Sequence, residues 1–167
     1  MMNAIVYISN TGFTAQYAKL LGDKLNLPVY SLDAAKKKFD AGAEILYLGW
    51  LMAGQVKGYQ QAAKRYKIAA VCGVGMGASG SQIEQTRKVN AIPENIPLFI
   101  LQGGSDLGKL HGIYKFMMIT MKRTVGKKLG AKPNKTADEQ DMLDLLLNGG
   151  SRVSEENLRP VLDWCRK

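Results

Sequence analysis

The chain has 167 residues, 46% of them apolar, and carries a formal charge of +9. That length favours a single domain with a sizeable core, and the apolar share excludes a disordered chain. No apolar run reaches the ~20 residues of a membrane-spanning helix, and two cysteines make no disulfide framework. The N-terminal MMNAIVYIS has neither a basic leader nor a cleavage site, so a cytoplasmic protein is expected.

Short apolar runs alternate with amphipathic ones along the chain. The first predicted strand is Ala4–Ser9, followed by the hydroxyl-rich turn SNTGFT. A helix is predicted over Thr14–Leu25, with Ala18, Leu21 and Leu25 on one stripe. Strands follow at Val29–Leu32 and Ile45–Trp50, then a polar, helix-prone segment at Lys57–Tyr66. The run Ile68–Val74 reads as a strand and opens into a glycine-rich turn. A helix over Ser81–Asn90 stops near Pro93, and Leu98–Gln102 is the last predicted strand. Leu110–Lys128 places Ile113, Met117, Met121 and Val125 near helical spacing. Its Met-rich run, Phe116 to Met121, reads as helix core, with contact to anionic lipid as the minority reading. Shorter helices are predicted at Ala137–Leu147 and Ser154–Arg166. Leu129–Lys135 and Asn148–Ser151 read as loops.

The last three strands are apolar almost throughout, as parallel strands covered on both faces are. The expected architecture is therefore α/β: a doubly wound, five-stranded parallel sheet with helices on both faces and extra C-terminal helices. Residues 1–167 form one domain in this reading, with a core of about 130 residues and a helical extension from 131 to 167. A (β/α)8 barrel would need about 250 residues.

In that architecture SNTGFT lies at the carboxyl edge of the sheet, where doubly wound folds bind ligands. A helix start offers free backbone N–H groups and a positive dipole end, both suited to an anion. Hydroxyls of Ser9, Thr11 and Thr14 can donate to phosphate oxygens, and Gly12 permits close backbone approach. No Gly-Lys-Ser/Thr follows, so this is not a Walker loop. The alternative is an ordinary capped turn. Ser9-Asn10-Thr11-Gly12-Phe13-Thr14 resembles the phosphate loop of the flavodoxins, Ser/Thr-x-Thr-Gly-x-Thr. That resemblance implies the strand order 2-1-3-4-5 and FMN held by several loops. By the same resemblance the isoalloxazine loops are Trp50-Leu51-Met52-Ala53-Gly54-Gln55 and the turn from Gly73 to Ser79, with Gly75, Met76 and Gly77 against the cofactor. Trp50 is the stacking candidate, and Met76 stands where flavodoxins often have an aromatic. A third loop, Gln102-Gly103-Gly104-Ser105-Asp106, adds Gly103. The stretch GGSDLGKLHGIYKFMM more loosely resembles the flavodoxin-domain group that includes menaquinone-dependent protoporphyrinogen oxidase.

Rival motifs are weaker. Gly73-x-Gly75-x-x-Ala78 fits the dinucleotide fingerprint, but it follows the fourth strand and no acid ends the next one. His111 is the only histidine and has no nucleophile beside it in sequence; no metal cluster is expected. Cys72 lies in an apolar strand and reads as an inert thiol. Between Leu107 and Ala137 there are eight basic residues and no acidic one. No nucleic-acid motif accompanies them. The expected partners are an acidic redox protein, or a quinone or anionic membrane surface, with peripheral membrane attachment as a further expectation. Flavodoxins are acidic carriers; here Lys57 and the scarcity of acids near the loops predict a less negative potential for the reduced anionic flavin. Three functions remain open: an electron-transfer protein carrying electrons on FMN, an FMN-dependent oxidoreductase of the protoporphyrinogen or quinone type, and a binding module that has lost FMN.

Overall fold

A computed structural model describes all 167 residues. Five parallel strands form the central sheet: β1 (Ala4–Ile8), β2 (Val29–Ser31), β3 (Glu44–Met52), β5 (Lys67–Gly75) and β6 (Leu98–Gln102). Their spatial order is β2-β1-β3-β5-β6, which is the flavodoxin-like order 2-1-3-4-5. A two-residue strand, β4 (Gln55–Val56), folds back antiparallel on the end of β3 and pairs with Leu51 and Met52.

Alternation along each strand sends side chains to opposite faces. Ala4, Val6, Ile45, Tyr47 and Val71 enter one core cluster. There they meet α2 (Leu32–Lys38), α3 (Tyr59–Ala63) and the turn that follows α4 (Ile83–Asn90) through Leu32, Ala35, Tyr59, Ala62 and Ile92. Ile5, Leu46, Leu48, Ala70 and Cys72 enter the other cluster. Here α1 (Phe13–Leu25) supplies Tyr17, Ala18 and Leu21, and α7 (Glu155–Cys165) supplies Leu158, Val161 and Leu162. Each such aliphatic side chain contributes about 1.5–3 kcal/mol by leaving water.

Several local expectations change. The second strand ends at Ser31, because Ser31 caps a helix: its Oγ accepts the Ala34 N–H at 3.3 Å. That helix, α2, lies in a stretch between Leu32 and Ile45 for which no element is predicted. The segment predicted as one helix over Lys57–Tyr66 contains only the five-residue α3, after Gly58 at its N-cap with φ 76°. Thr14 is the second residue of α1, since Gly12 is the cap. The helix α5 (Gly112–Ala131) runs into the loop expected from Leu129. Within the expected loop Asn148–Ser151, Gly150–Ser151 form a strand, β8, that pairs antiparallel with β7 (Gly104–Ser105).

The section expected to extend beyond the core divides in two. α7 packs into the second cluster against α1 and β6. α6 (Ala137–Asn148) instead packs on α5, and the two form a hairpin over the carboxyl edge of the sheet. A capping box starts α6: Thr136 Oγ1 accepts the Glu139 N–H, and Glu139 accepts the Thr136 N–H.

Candidate functional site

The carboxyl ends of β1, β3, β5 and β6 deliver their loops to one edge, at the point where the winding of the sheet reverses. A cavity of about 370 Å3 opens there, inside the range of about 300–1,000 Å3 common for small-molecule sites.

The first wall is the turn after β1. Gly12 takes φ 101°, a left-handed conformation that disfavours any residue with a Cβ. Its N–H donates to Ser9 Oγ at 3.2 Å, which ties the turn to itself. The N–H groups of Phe13, Thr14 and Ala15 find no acceptor within the chain, as the first turn of a helix requires. Thr14 is 1% exposed and lines the cavity together with Asn10, Thr11 and Phe13. Ser9 and Gly12 shape the turn from outside the lining.

Trp50, Leu51, Met52, Ala53 and Gly54 form the second wall. They make a tight hairpin in which Ala53 and Gly54 both take positive φ, the geometry of a primed turn. Asn90, buried at the end of α4, fixes this hairpin. Its Oδ1 accepts the Val56 N–H at 2.9 Å, and its Nδ2 donates to the Gly54 carbonyl at 2.8 Å. The Tyr47 hydroxyl donates to the Lys57 carbonyl at 2.6 Å, and burial pushes that phenol well above its ordinary pKa. Lys57 Nζ then sits 5.6 Å from the Trp50 ring and 5.7 Å from the Tyr114 ring. The two rings meet edge to face at 5.0 Å.

Gly75, Met76 and Gly77 form the third wall. Gly103 does not reach the cavity; it is a packing residue. A Cβ there would come 2.7 Å from Val74 Cγ1 and 3.1 Å from Phe13 Cβ, so its absence lets Phe13 lie against the sheet edge.

The roof is the part that sequence reasoning missed. Met117, Met118 and Met121 of α5 and Met142 of α6 all line the cavity. The expected stripe Ile113–Met117–Met121–Val125 does not make a core. A pure i, i+4 series advances 400° per step and so drifts about 40° around the helix each time. Ile113 consequently faces outward, Met117 lies between cavity and solvent, and Gly126 is the one buried residue of α5.

A polar clamp fastens the roof to the sheet. Gln102 Nε2 donates to the Met76 carbonyl at 3.1 Å and to Asp141 Oδ2 at 2.6 Å. Arg152 bridges Asp141 and Asp144, each at 2.8 Å, and its own N–H donates to the Gly103 carbonyl. The Asn148 amide, and after it Arg152, holds the Asp144 carboxyl below its ordinary pKa. On the other side, the Tyr17 hydroxyl donates to the Gln102 carbonyl at 2.5 Å and accepts from Asn157 Nδ2 at 2.8 Å. Burial raises the Tyr17 phenol pKa, and the Asn157 contact partly offsets this.

Asp106 is the one ionisable residue on the cavity wall. Its carboxylate accepts the Gly108 N–H at 3.1 Å and lies 3.5 Å from Lys109 Nζ. His111 caps α5 without a side-chain bond and is exposed. Cys72 is fully buried behind the sheet, where burial pushes its thiol pKa far up. No group of three or more His, Cys, Asp or Glu side chains converges to hold a metal. No helix is long and apolar enough to cross a membrane.

Comparison with models of known protein families, with curated proteins and with solved structures yields no match. Fold and cavity together define a doubly wound α/β domain with a ligand-sized site at its switch point.

Proposed function

We propose that this protein binds FMN and transfers electrons through it, as flavodoxins do. The observation that carries the reading is the SNTGFT turn: three unpartnered backbone N–H groups and the buried Thr14 converge beside a cavity of suitable size. Those donors fit a phosphate, because a helix start stabilises an anion without needing a cationic side chain. The rest of the cavity fits a flat, largely apolar ring. Its walls are the Trp50–Gly54 hairpin and the Gly75–Gly77 turn, and its roof is methionine, whose thioether adapts to aromatic faces.

In this reading FMN supplies the redox chemistry, and the chain supplies position and field. Asn10, Thr11, Phe13 and Thr14 hold the phosphate end. Asn90 and Tyr47 keep the Trp50 hairpin and Lys57 in place. Lys57, outside the cavity lining but 5.6 Å from the Trp50 ring, adds positive charge beside the site, and Lys109 lies 3.5 Å from Asp106, the one acid on the wall. Coulomb attraction at partial burial then favours the negatively charged reduced flavin. A less negative potential than that of acidic flavodoxins is expected. A redox titration giving an equally low potential would remove this electrostatic argument.

The first experiment is an absorption spectrum of the purified chain, before and after adding FMN. Flavin bands that survive desalting support the reading. At a hundredfold excess over Kd, FMN should stabilise the fold by about 2.7 kcal/mol. Riboflavin, which lacks the phosphate, should bind more weakly. A colourless chain with no gain in Tm from FMN would move the protein to the class of binding modules.

The methionine roof favours a second reading, in which the cavity also admits a flat organic substrate and the protein is an FMN-dependent oxidoreductase of the quinone or protoporphyrinogen type. Flavin turnover dependent on such a substrate distinguishes this enzyme from a carrier.

A further inference from the structure

The outer face of α5 has no partner in the fold. It begins with Ile113, Phe116 and Met117, which are 68%, 69% and 40% exposed. Their i, i+3, i+4 spacing stands them side by side. The other exposed large apolar side chains, Met1, Val89 and Leu147, belong to separate elements. Isolated ones need no explanation; a cluster does. Cations surround this cluster. Lys109 and Lys115 flank it, and Arg123, Lys127 and Lys128 follow, exposed, along the same 20-residue helix. Asp106 lies 3.5 Å from Lys109, but no acidic residue occurs from Leu107 to Ala137, and Lys115, Arg123, Lys127 and Lys128 have no acidic partner. Met117 belongs both to the patch and to the cavity wall, so the patch runs into the cavity mouth.

We propose that the outer face of α5 docks this protein on an anionic lipid bilayer. Two physical demands must be met together. Uncompensated lysines and arginines favour an anionic surface, each by about 1 kcal/mol. Three apolar side chains standing proud of one helix face favour an apolar medium about 5–10 Å below that surface. An anionic bilayer meets both at once, with the lysine stems reaching back to the headgroups. An acidic protein meets the first demand but must bring its own apolar pocket for Phe116 and Ile113. Docked in this way, the cavity mouth faces the lipid. The docking needs no flavin, so its failure and the failure of the FMN reading show up in different measurements.

The test is co-sedimentation of the full chain with vesicles at physiological salt. One set is equimolar phosphatidylglycerol and phosphatidylcholine; the other is phosphatidylcholine alone. The expected result is binding to the first and not to the second. The double variant Ile113→Ser/Phe116→Ser, which keeps every charge, should lower the partition coefficient about tenfold. Arg123→Gln and Lys127→Gln should each lower it about fivefold. Phe116→Trp should show blue-shifted emission on anionic vesicles, and brominated lipid should quench it relative to the parent chain. This reading needs no loss-of-function variant. Absence of binding to the anionic vesicles overturns the proposal, as does unchanged emission at position 116. Equal binding by the serine double variant overturns it in favour of diffuse attraction by net charge. Capture by polyglutamate without any vesicle binding reassigns the surface to an acidic protein.

Discussion

The sheet and its roof are held by different mixtures of forces. β3 runs through the middle of the sheet, and Ile45, Leu46, Tyr47 and Leu48 are wholly removed from water. α5 is more than twice as long, yet Gly126 is its one buried residue. Apolar burial fixes the sheet, while the hairpin above it combines three buried leucines of α6, Leu143, Leu145 and Leu146, with polar contacts centred on Arg152, Asp141 and Gln102. Burial is insensitive to salt and acid, whereas exposed ion pairs respond to both. The binding edge therefore combines a rigid floor with a roof that opens at lower free-energy cost, as ligand sites commonly do.

The sharpest way to break this contrast is to cut both regions alike. Leu46→Ala should lower unfolding free energy by about 3 kcal/mol in a urea titration. Met118→Ala in the roof should cost no more than about 1 kcal/mol. Equal losses would mean that the roof is part of the cooperative core. Next in size is Asn90→Leu, which orphans the Val56 N–H and the Gly54 carbonyl. It should cost about 2 kcal/mol and increase the mobility of Trp50, seen as a change in its fluorescence anisotropy.

Acid should separate the two regions further. Lys132, and then the Thr136 N–H, hold Glu139 below its ordinary pKa, and Asn148 with Arg152 does the same for Asp144. A carboxyl with a depressed folded pKa adds stability above its unfolded pKa. That stability is lost as pH falls through the folded value. Amide exchange in residues 112–148 should therefore accelerate, relative to its intrinsic rate, below the usual carboxylate range. Exchange in β3 and β5 should stay protected there beyond their first residues, where Lys67 holds Glu44 low in the same way. Simultaneous loss of protection would contradict the division. The smallest effect concerns the thiols. Burial raises both, but Cys72 is enclosed while Cys165 is partly exposed near the chain end. A thiol reagent should label Cys165 first, with Cys72 waiting for unfolding.

Where burial decides structure, the sequence was legible. The five strands are apolar runs of the right length, and the SNTGFT turn is a local pattern whose chemistry follows from its own residues. The start of α6 at Ala137 is legible in the sequence, and Thr136 with Glu139 marks it again; Ser31 with Asp33 signals α2, which the apolar pattern alone does not show. The roof was hidden for a different reason. Its methionines reach the cavity through the packing of one helix on another, and no local spacing says which face of α5 turns inward. Asn90 was equally hidden, since its partners lie 34 and 36 residues away.

The small ribbon between Gly104–Ser105 and Gly150–Ser151 brings the two ends of a long excursion back to one place. The chain leaves the sheet edge at residue 106 and returns there at residue 149. α7 then takes its seat on the sheet beside α1, which completes the second core cluster. In architectural terms, the roof is an insert spliced between the last strand and the last helix of a finished domain. Because the insert leaves and rejoins its host at one place, its outer face can vary without rethreading the sheet, so the protein's choice of docking surface can change while the floor beneath it stays the same.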